Sequence, residues 1–139
     1  MRKNLVEKAV AQEIIDRANK LSLNSQPKWG TMNGTEMLHH CNLLNNTFMD
    51  GKLPHKKTSP VQFIAKFLFL KIPKENQTKG KIAEQEFEAE RVKYIQTIQK
   101  FSKQKAFSTT HPAFGNMNAT EWGKLTWMHM DHHLRQFGV

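Results

Sequence analysis

Apolar residues recur every three to four positions along most of the chain, a period that predicts helices. The first helix is expected over residues 4–23, with Leu5, Ala9, Ile14 or Ile15, Ala18 and Leu21 on one stripe, and Asn24-Ser25-Gln26-Pro27 ends it. The second opens at Asn33, an N-cap residue with Glu36 three positions on, as in a capping box. It continues through Met37, Leu38, Cys41, Leu44 and Phe48 until Gly51 and Pro54 stop it. A shorter third segment, residues 59–72, begins with Ser59 as N-cap and Pro60 in the first turn. The fourth, over residues 83–103, turns Phe87, Arg91, Tyr94 or Ile95, Ile98 and Phe101 or Ser102 inward. Residues 109–115 read as a turn, and no strand is expected. The last helix opens at Asn118, with Glu121 completing a second capping box, and runs through Trp122, Leu125, His129 and His133 to about Phe137.

Four of these five segments are long enough for a four-helix bundle. The expected fold is therefore all-α: one four-helix bundle over residues 1–139, with the short extra helix lying in the connection between the second and third long helices. Composition agrees with a packed domain, since 38% of residues are apolar and 24% charged, which excludes disorder. The lone cysteine, Cys41, permits no intrachain disulfide and no cysteine-built zinc site, and reads as a small buried hydrophobe. Charges spread through the first 21 residues argue against a signal peptide, and Lys66 breaks the longest apolar run. A bilayer span takes about 20 apolar residues, so a cytoplasmic protein without a membrane span is expected.

The net charge of +9 is local in origin: residues 51–81 hold eight lysines and one acid, Glu75. Such a stretch attracts anions at long range. Nucleic acid is not an expected partner, because binding of that kind is better served by arginines interleaved with exposed aromatics. A lysine-coated surface kept soluble by its charge is the plainer reading.

The candidate chemistry lies in the histidines. His129 and His133 are four apart and share one face of the last helix, which Trp122 and Leu125 turn inward. On the second helix His40 falls three after Met37 and four before Leu44, also inside, while His39 sits about 100° away, nearer the edge. Three imidazoles from two helices would leave part of an ion's coordination sphere open, as in catalytic sites. The same spacing also arises in histidines that merely line helix surfaces. Asp131 points about 200° from His129, so it reads as an outward or inter-helix partner, with Arg135 one turn on as its ion pair. His132 and Gln136 are further candidates for groups that support the ligands. His111, before Pro112, reads as a turn residue, and Trp29, Trp122 and Trp127 as packing residues.

The C-terminal string His111-Pro-x-Phe114-Gly115, Trp122-Gly123-x-Leu125 and His129-x-Asp131-His132-His133-Leu134-Arg135-Gln136-Phe137-Gly138 resembles a bacterial family of unknown function in the DinB-like (YfiT-like) superfamily. Trp29-Gly30-x-Met32 with Met37-Leu38-x-His40-Cys41 is similar to the same family's other block. The resemblance implies an up-down-down-up bundle and a divalent metal ion held by His40, His129 and His133. It also matches Gln136 to a glutamine that the superfamily often carries after its last ligand, whereas Arg135 replaces the superfamily's glycine.

The function that follows is a divalent-metal-dependent enzyme, a thiol-dependent S-transferase or a hydrolase, with zinc or nickel as the leading ions and iron or manganese as alternatives. Its expected partners are a small-molecule substrate, a low-molecular-weight thiol and a second copy of the chain in a homodimer. No residue stands out as catalytic beyond the ligands. The alternative is a non-catalytic helical bundle that serves as a binding or oligomerisation module through Phe63, Phe67 or Leu70.

Overall fold

The computed structural model describes residues 3–49, 82–103, 108–111 and 115–139, without the side chains of 44, 46–49 and 108–111. The short helix expected over 59–72, the lysine-rich stretch 51–81 and the side chains of Leu44, Phe48 and His111 lie outside the described residues. What is described is mostly helical, as expected: α1 (Lys8–Asn19), α2 (Gly34–Met49), α3 (Phe87–Lys103) and α4 (Ala119–Gln136), with a 3₁₀ turn at Glu84–Glu86 leading into α3. α1 packs on α3 and α4, and α2 packs on the same two helices. No helix among the described residues is long and apolar enough to cross a membrane.

Both capping boxes form. The Asn33 side chain accepts from the Glu36 backbone N–H at 2.8 Å, and the Glu36 carboxylate accepts from the Asn33 N–H at 2.9 Å. At α4 the Asn118 and Glu121 pair makes the same two bonds, each 3.0 Å. These satisfy N–H groups that a helix start leaves orphaned, so the register of α2 and α4 is fixed by the sequence itself. At its other end α4 stops in a Schellman motif. Gly138 adopts φ 77°, Val139 N–H bonds Leu134 O at 3.1 Å, and Gly138 N–H bonds Arg135 O at 3.0 Å.

α1 departs from the expectation. It starts at Lys8 rather than at residue 4, and its first residues dock elsewhere. Asn4 Nδ2 donates to Thr120 O (3.0 Å), and the Asn4 side chain accepts from Val6 N–H (3.1 Å). Leu5 is fully buried in this arrangement, but before the helix begins. Within α1 the buried positions are Val10, Ala11, Ile14 and Ala18, while Ala9 faces solvent. The Ile14–Ala18 pair sets the phase, and one turn back from Ile14 are positions 10 and 11, not 9.

A second correction concerns strands. β1 (Ser108–His111) and β2 (Gly115–Asn118) form an antiparallel pair with Thr109 opposite Met117 and His111 opposite Gly115. The Ser-Thr-Thr run suits extended backbone, and Gly115 takes φ 76°, a value that costs glycine little. Four residues on each side are too few to show an alternating pattern, which is why the region reads as a turn from sequence. The pair leads directly into α4 through the Asn118 cap.

The core is made where the helices face one another, with Leu5, Ile14, Leu38, Tyr94, Ile98 and Leu134 all fully buried. On α3 the inward set is Phe87, Glu90, Tyr94, Thr97, Ile98 and Phe101, so Tyr94 and Phe101 take the places left open with Ile95 and Ser102. Burial of each large apolar side chain is worth about 1.5–3 kcal/mol, and this is what orders the helices that carry the site.

Candidate metal centre

Along α4 the buried positions Trp122, Thr126, His129, His133 and Gln136 repeat at intervals of three and four and face the interior. α2 meets this stripe with Met37, Leu38, His40 and Cys41, all buried. The two helices thereby bring His40, His129 and His133 together, as the spacing predicts. His40 Nε2 lies 3.0 Å from His129 Nε2, and His133 Nε2 lies 3.1 Å from His129 Nε2. The three rings stand steeply to one another, with interplanar angles of 64°, 79° and 84°, so their nitrogens converge while their carbons diverge.

The cluster is almost sealed from solvent: His133 is fully buried and His40 and His129 nearly so. Burial lowers the His40 pKa to about 4, helped by His133 and His39. Burial also holds His129 well below the ordinary 6.5, with His133, His40 and His132 adding to the effect. Both are therefore neutral at physiological pH, the state a metal ligand requires.

The contacts do not close as a hydrogen-bond network. A neutral imidazole nitrogen has one in-plane site, holding either a proton or a lone pair. His129 Nε2 faces two other Nε2 atoms and can make a hydrogen bond with only one of them. A cation at the centre would instead satisfy three lone pairs at once. Nitrogens about 2.0–2.1 Å from one ion, at coordination angles of about 90–109°, stand about 2.8–3.4 Å apart. The observed 3.0 and 3.1 Å fall in that range. The three histidines thus lie close enough to share one metal ion, one ligand atom from each being within 4.8 Å of the others.

Gln136 supports the cluster from one turn below. Its Oε1 lies 2.8 Å from His133 Nδ1, and its Nε2 donates to Trp29 O at 2.8 Å. The backbone of the same residue is tied to the loop too, through Lys28 N–H to Gln136 O at 2.7 Å. His132 stands edge-on to His133, with ring centres 5.0 Å apart, and 6.0 Å from the Trp29 ring.

The other candidates sort clearly. Asp131 does not support a ligand: it bridges Arg17 and Arg135, each at 2.8 Å, and so ties α1 to α4. Cys41 is fully buried, its Sγ 4.0 Å from Met37 Sδ, and burial pushes its thiol far above the usual range, so it is an inert core residue. Trp122 is core, Trp127 is partly buried, and Trp29 corrects the expectation of packing: it is 44% exposed, and its carbonyl rather than its ring is engaged by Gln136.

One buried charged group was not foreseen. Glu90 on α3 is 2% exposed and accepts from Asn42 Nδ2 at 2.7 Å and from Lys93 Nζ at 3.2 Å, with His39 Nδ1 at 3.3 Å. Burial pushes its carboxyl up, but the bonds from Asn42 and Lys93 and the charges of Lys93 and His39 outweigh this and hold it below the ordinary range. The only signal in sequence is its position three after Phe87 and four before Tyr94, which places it inside.

Together these features define a mostly helical protein with a buried cluster of three histidines on two facing helices. Residues 3–138 match DUF1569, described as a protein of unknown function, and the chain belongs to that family. No curated protein and no solved structure matches it.

Proposed function

We propose that the protein is a divalent-metal-dependent enzyme built on a DinB-like four-helix bundle, with His40, His129 and His133 as the ligands. The observation that carries the reading is the convergence of three buried Nε2 atoms that cannot all hydrogen-bond to one another. All three donors are imidazoles, which bind a metal as neutral ligands, and no carboxylate is among them, so the ligands would leave the charge of the ion unneutralised. When bound, a divalent ion supplies Lewis acidity that lowers the pKa of a thiol or a water at its open positions.

The chain's own residues divide the remaining work. α2 and α4 hold the imidazoles, and the surrounding core excludes bulk water, which strengthens the electrostatics of the site. Zinc and nickel suit an all-imidazole donor set, with iron and manganese as alternatives. The reaction class we favour is thiol-dependent S-transfer or hydrolysis on a small molecule, with a low-molecular-weight thiol as co-substrate.

The test is elemental analysis of untagged protein beside His129→Ala, followed by a thiol-transfer screen of the loaded protein. One equivalent of a divalent metal in the wild type, lost in the variant, is expected. Absence of metal from both, even after addition of zinc or nickel, sinks the proposal.

A further inference from the structure

We infer that Gln136 is a positioning residue that fixes the tautomer of His133, placing the ring proton on Nδ1 and leaving a bare lone pair on Nε2 toward His40 and His129. The inference deepens the metal-centre reading and rests on it for the neutral state of the ring; given that state, the tautomer follows from the contacts.

Trp29 O is a carbonyl and can only accept, so the group of Gln136 that meets it at 2.8 Å is the amide NH₂. The opposite arrangement would set two oxygens against each other. The remaining group of the amide, Oε1, therefore faces His133 Nδ1 at 2.8 Å, and as an acceptor it requires a proton there. In the neutral ring, the state a metal ligand requires, this is the only proton, so Nε2 has none. His133 and Gln136 are both fully buried, and the bond between them is shielded from solvent.

The loop is as much a part of this device as the side chain. Gln136 is held at both its amide and its backbone carbonyl by adjacent residues, Trp29 O and Lys28 N–H. The Schellman cap at Gly138 closes the helix two residues later, which sets the last turn that carries Gln136. The loop before α2 thus orients a ligand on α4 through Gln136. Partners of this kind typically govern about 10–100-fold in metal affinity.

The experiment compares wild type, Gln136→Met and Gln136→Glu. Methionine keeps the volume and offers no oxygen; glutamate keeps the acceptor for His133. Both remove the donor to Trp29 O, and glutamate also sets an oxygen against that carbonyl, so a merely structural role would impair Gln136→Glu at least as much as Gln136→Met. Long-range proton–nitrogen NMR on the metal-free proteins reads the tautomer, and competition titration with zinc and with nickel reads affinity. The expected result is Nδ1–H for His133 in wild type and in Gln136→Glu, and population of the Nε2–H form in Gln136→Met. Affinity should fall about 10–100-fold in Gln136→Met and stay within a few-fold in Gln136→Glu. An Nε2–H tautomer in the wild type overturns the inference, and so do equal losses in the two variants. Wild-type protein that shows Nδ1–H yet takes neither metal upholds the tautomer assignment while sinking the metal-centre reading.

Discussion

The Nε2 atoms of His40 and His129 lie 3.0 Å apart across the meeting of α2 and α4, although 89 residues separate them in the chain. Neither helix can hold this contact alone. It exists only in the folded protein, so whatever binds there is linked to folding.

A ligand that binds the native state and not the unfolded chain stabilises it by mass action, about 2.7 kcal/mol at 100 times its Kd. Zinc or nickel at such an excess is expected to raise the Tm of the metal-free protein by roughly 10 °C for a chain of this size. The gain should vanish in His129→Ala and be reversed by a chelator. An equal shift in the variant would mean that the metal acts elsewhere.

Asp131 offers a control within the same helix. Its carboxylate is shared between Arg17, which is largely buried and also donates to Val139 O at 3.0 Å, and Arg135, whose side chain is 65% exposed. Replacement of Arg135 by Ala should cost less than about 1 kcal/mol, as exposed pairs do. Arg17→Ala should cost about 1.5–3 kcal/mol, because a shielded charged hydrogen bond is lost. Urea unfolding measures both. Metal content should be unchanged in Asp131→Asn, and a loss there would return Asp131 to the histidine cluster.

Much of this was legible in the chain because it rests on short spacings. Asn33 with Glu36 and Asn118 with Glu121 are pairs three apart, and His129 with His133 is a pair four apart; each needs only its own helix to be meaningful. His40 could be placed inside by Met37 three before it and Leu44 four after it, on its own helix. The features that escaped depend on distant partners. The start of α1 is displaced because Asn4 finds Thr120 O, and Glu90 is buried as an anion because Asn42 and His39 on another helix come to meet it. Gln136 could be suspected, but its purpose requires the Trp29 carbonyl, which no side-chain pattern reports. The hairpin was missed because Gly115 and three neighbours give too short a pattern for a period of two.

Glu90 should leave a signature at acid pH. Its carboxyl titrates below the ordinary 4.5 in the folded protein. The unfolded chain therefore takes up this proton first as pH falls, and stability rises with pH between the two values. The contribution is complete above about 4.5 and is lost as pH drops through the folded-state value. Glu90→Gln removes this titration, so the stability difference between the two proteins should be constant from pH 7 to 5 and shrink below about 4.5. Paired urea titrations across that range provide the measurement. A difference that does not change with pH would show that Glu90 is not held as a carboxylate.

The docking of the N-terminal segment predicts a reversal of ordinary helix propensity at Gly123. Glycine inside a helix is usually worse than alanine by about 1 kcal/mol, so Gly123→Ala on α4 would be expected to stabilise. Here the added Cβ would stand 2.0 Å from Asn4 Oδ1 and 3.3 Å from Val6 Cγ1. Asn4 cannot swing away cheaply, since its amide donates to Thr120 O and its oxygen accepts from Val6 N–H. The backbone bond from Leu5 N–H to Gly123 O, at 3.4 Å, runs through the same contact. Relieving the clash means lifting residues 4–6 off α4 and exposing Leu5, which overpacking of this kind makes cost about 1–3 kcal/mol. The expected result is a lower Tm for Gly123→Ala, with helical circular dichroism unchanged. In the double variant Asn4→Gly, Gly123→Ala the alanine should cost less than it does alone, because the atom it strikes is gone. If Gly123→Ala raises the Tm instead, the N-terminal segment does not lie on α4 at this glycine.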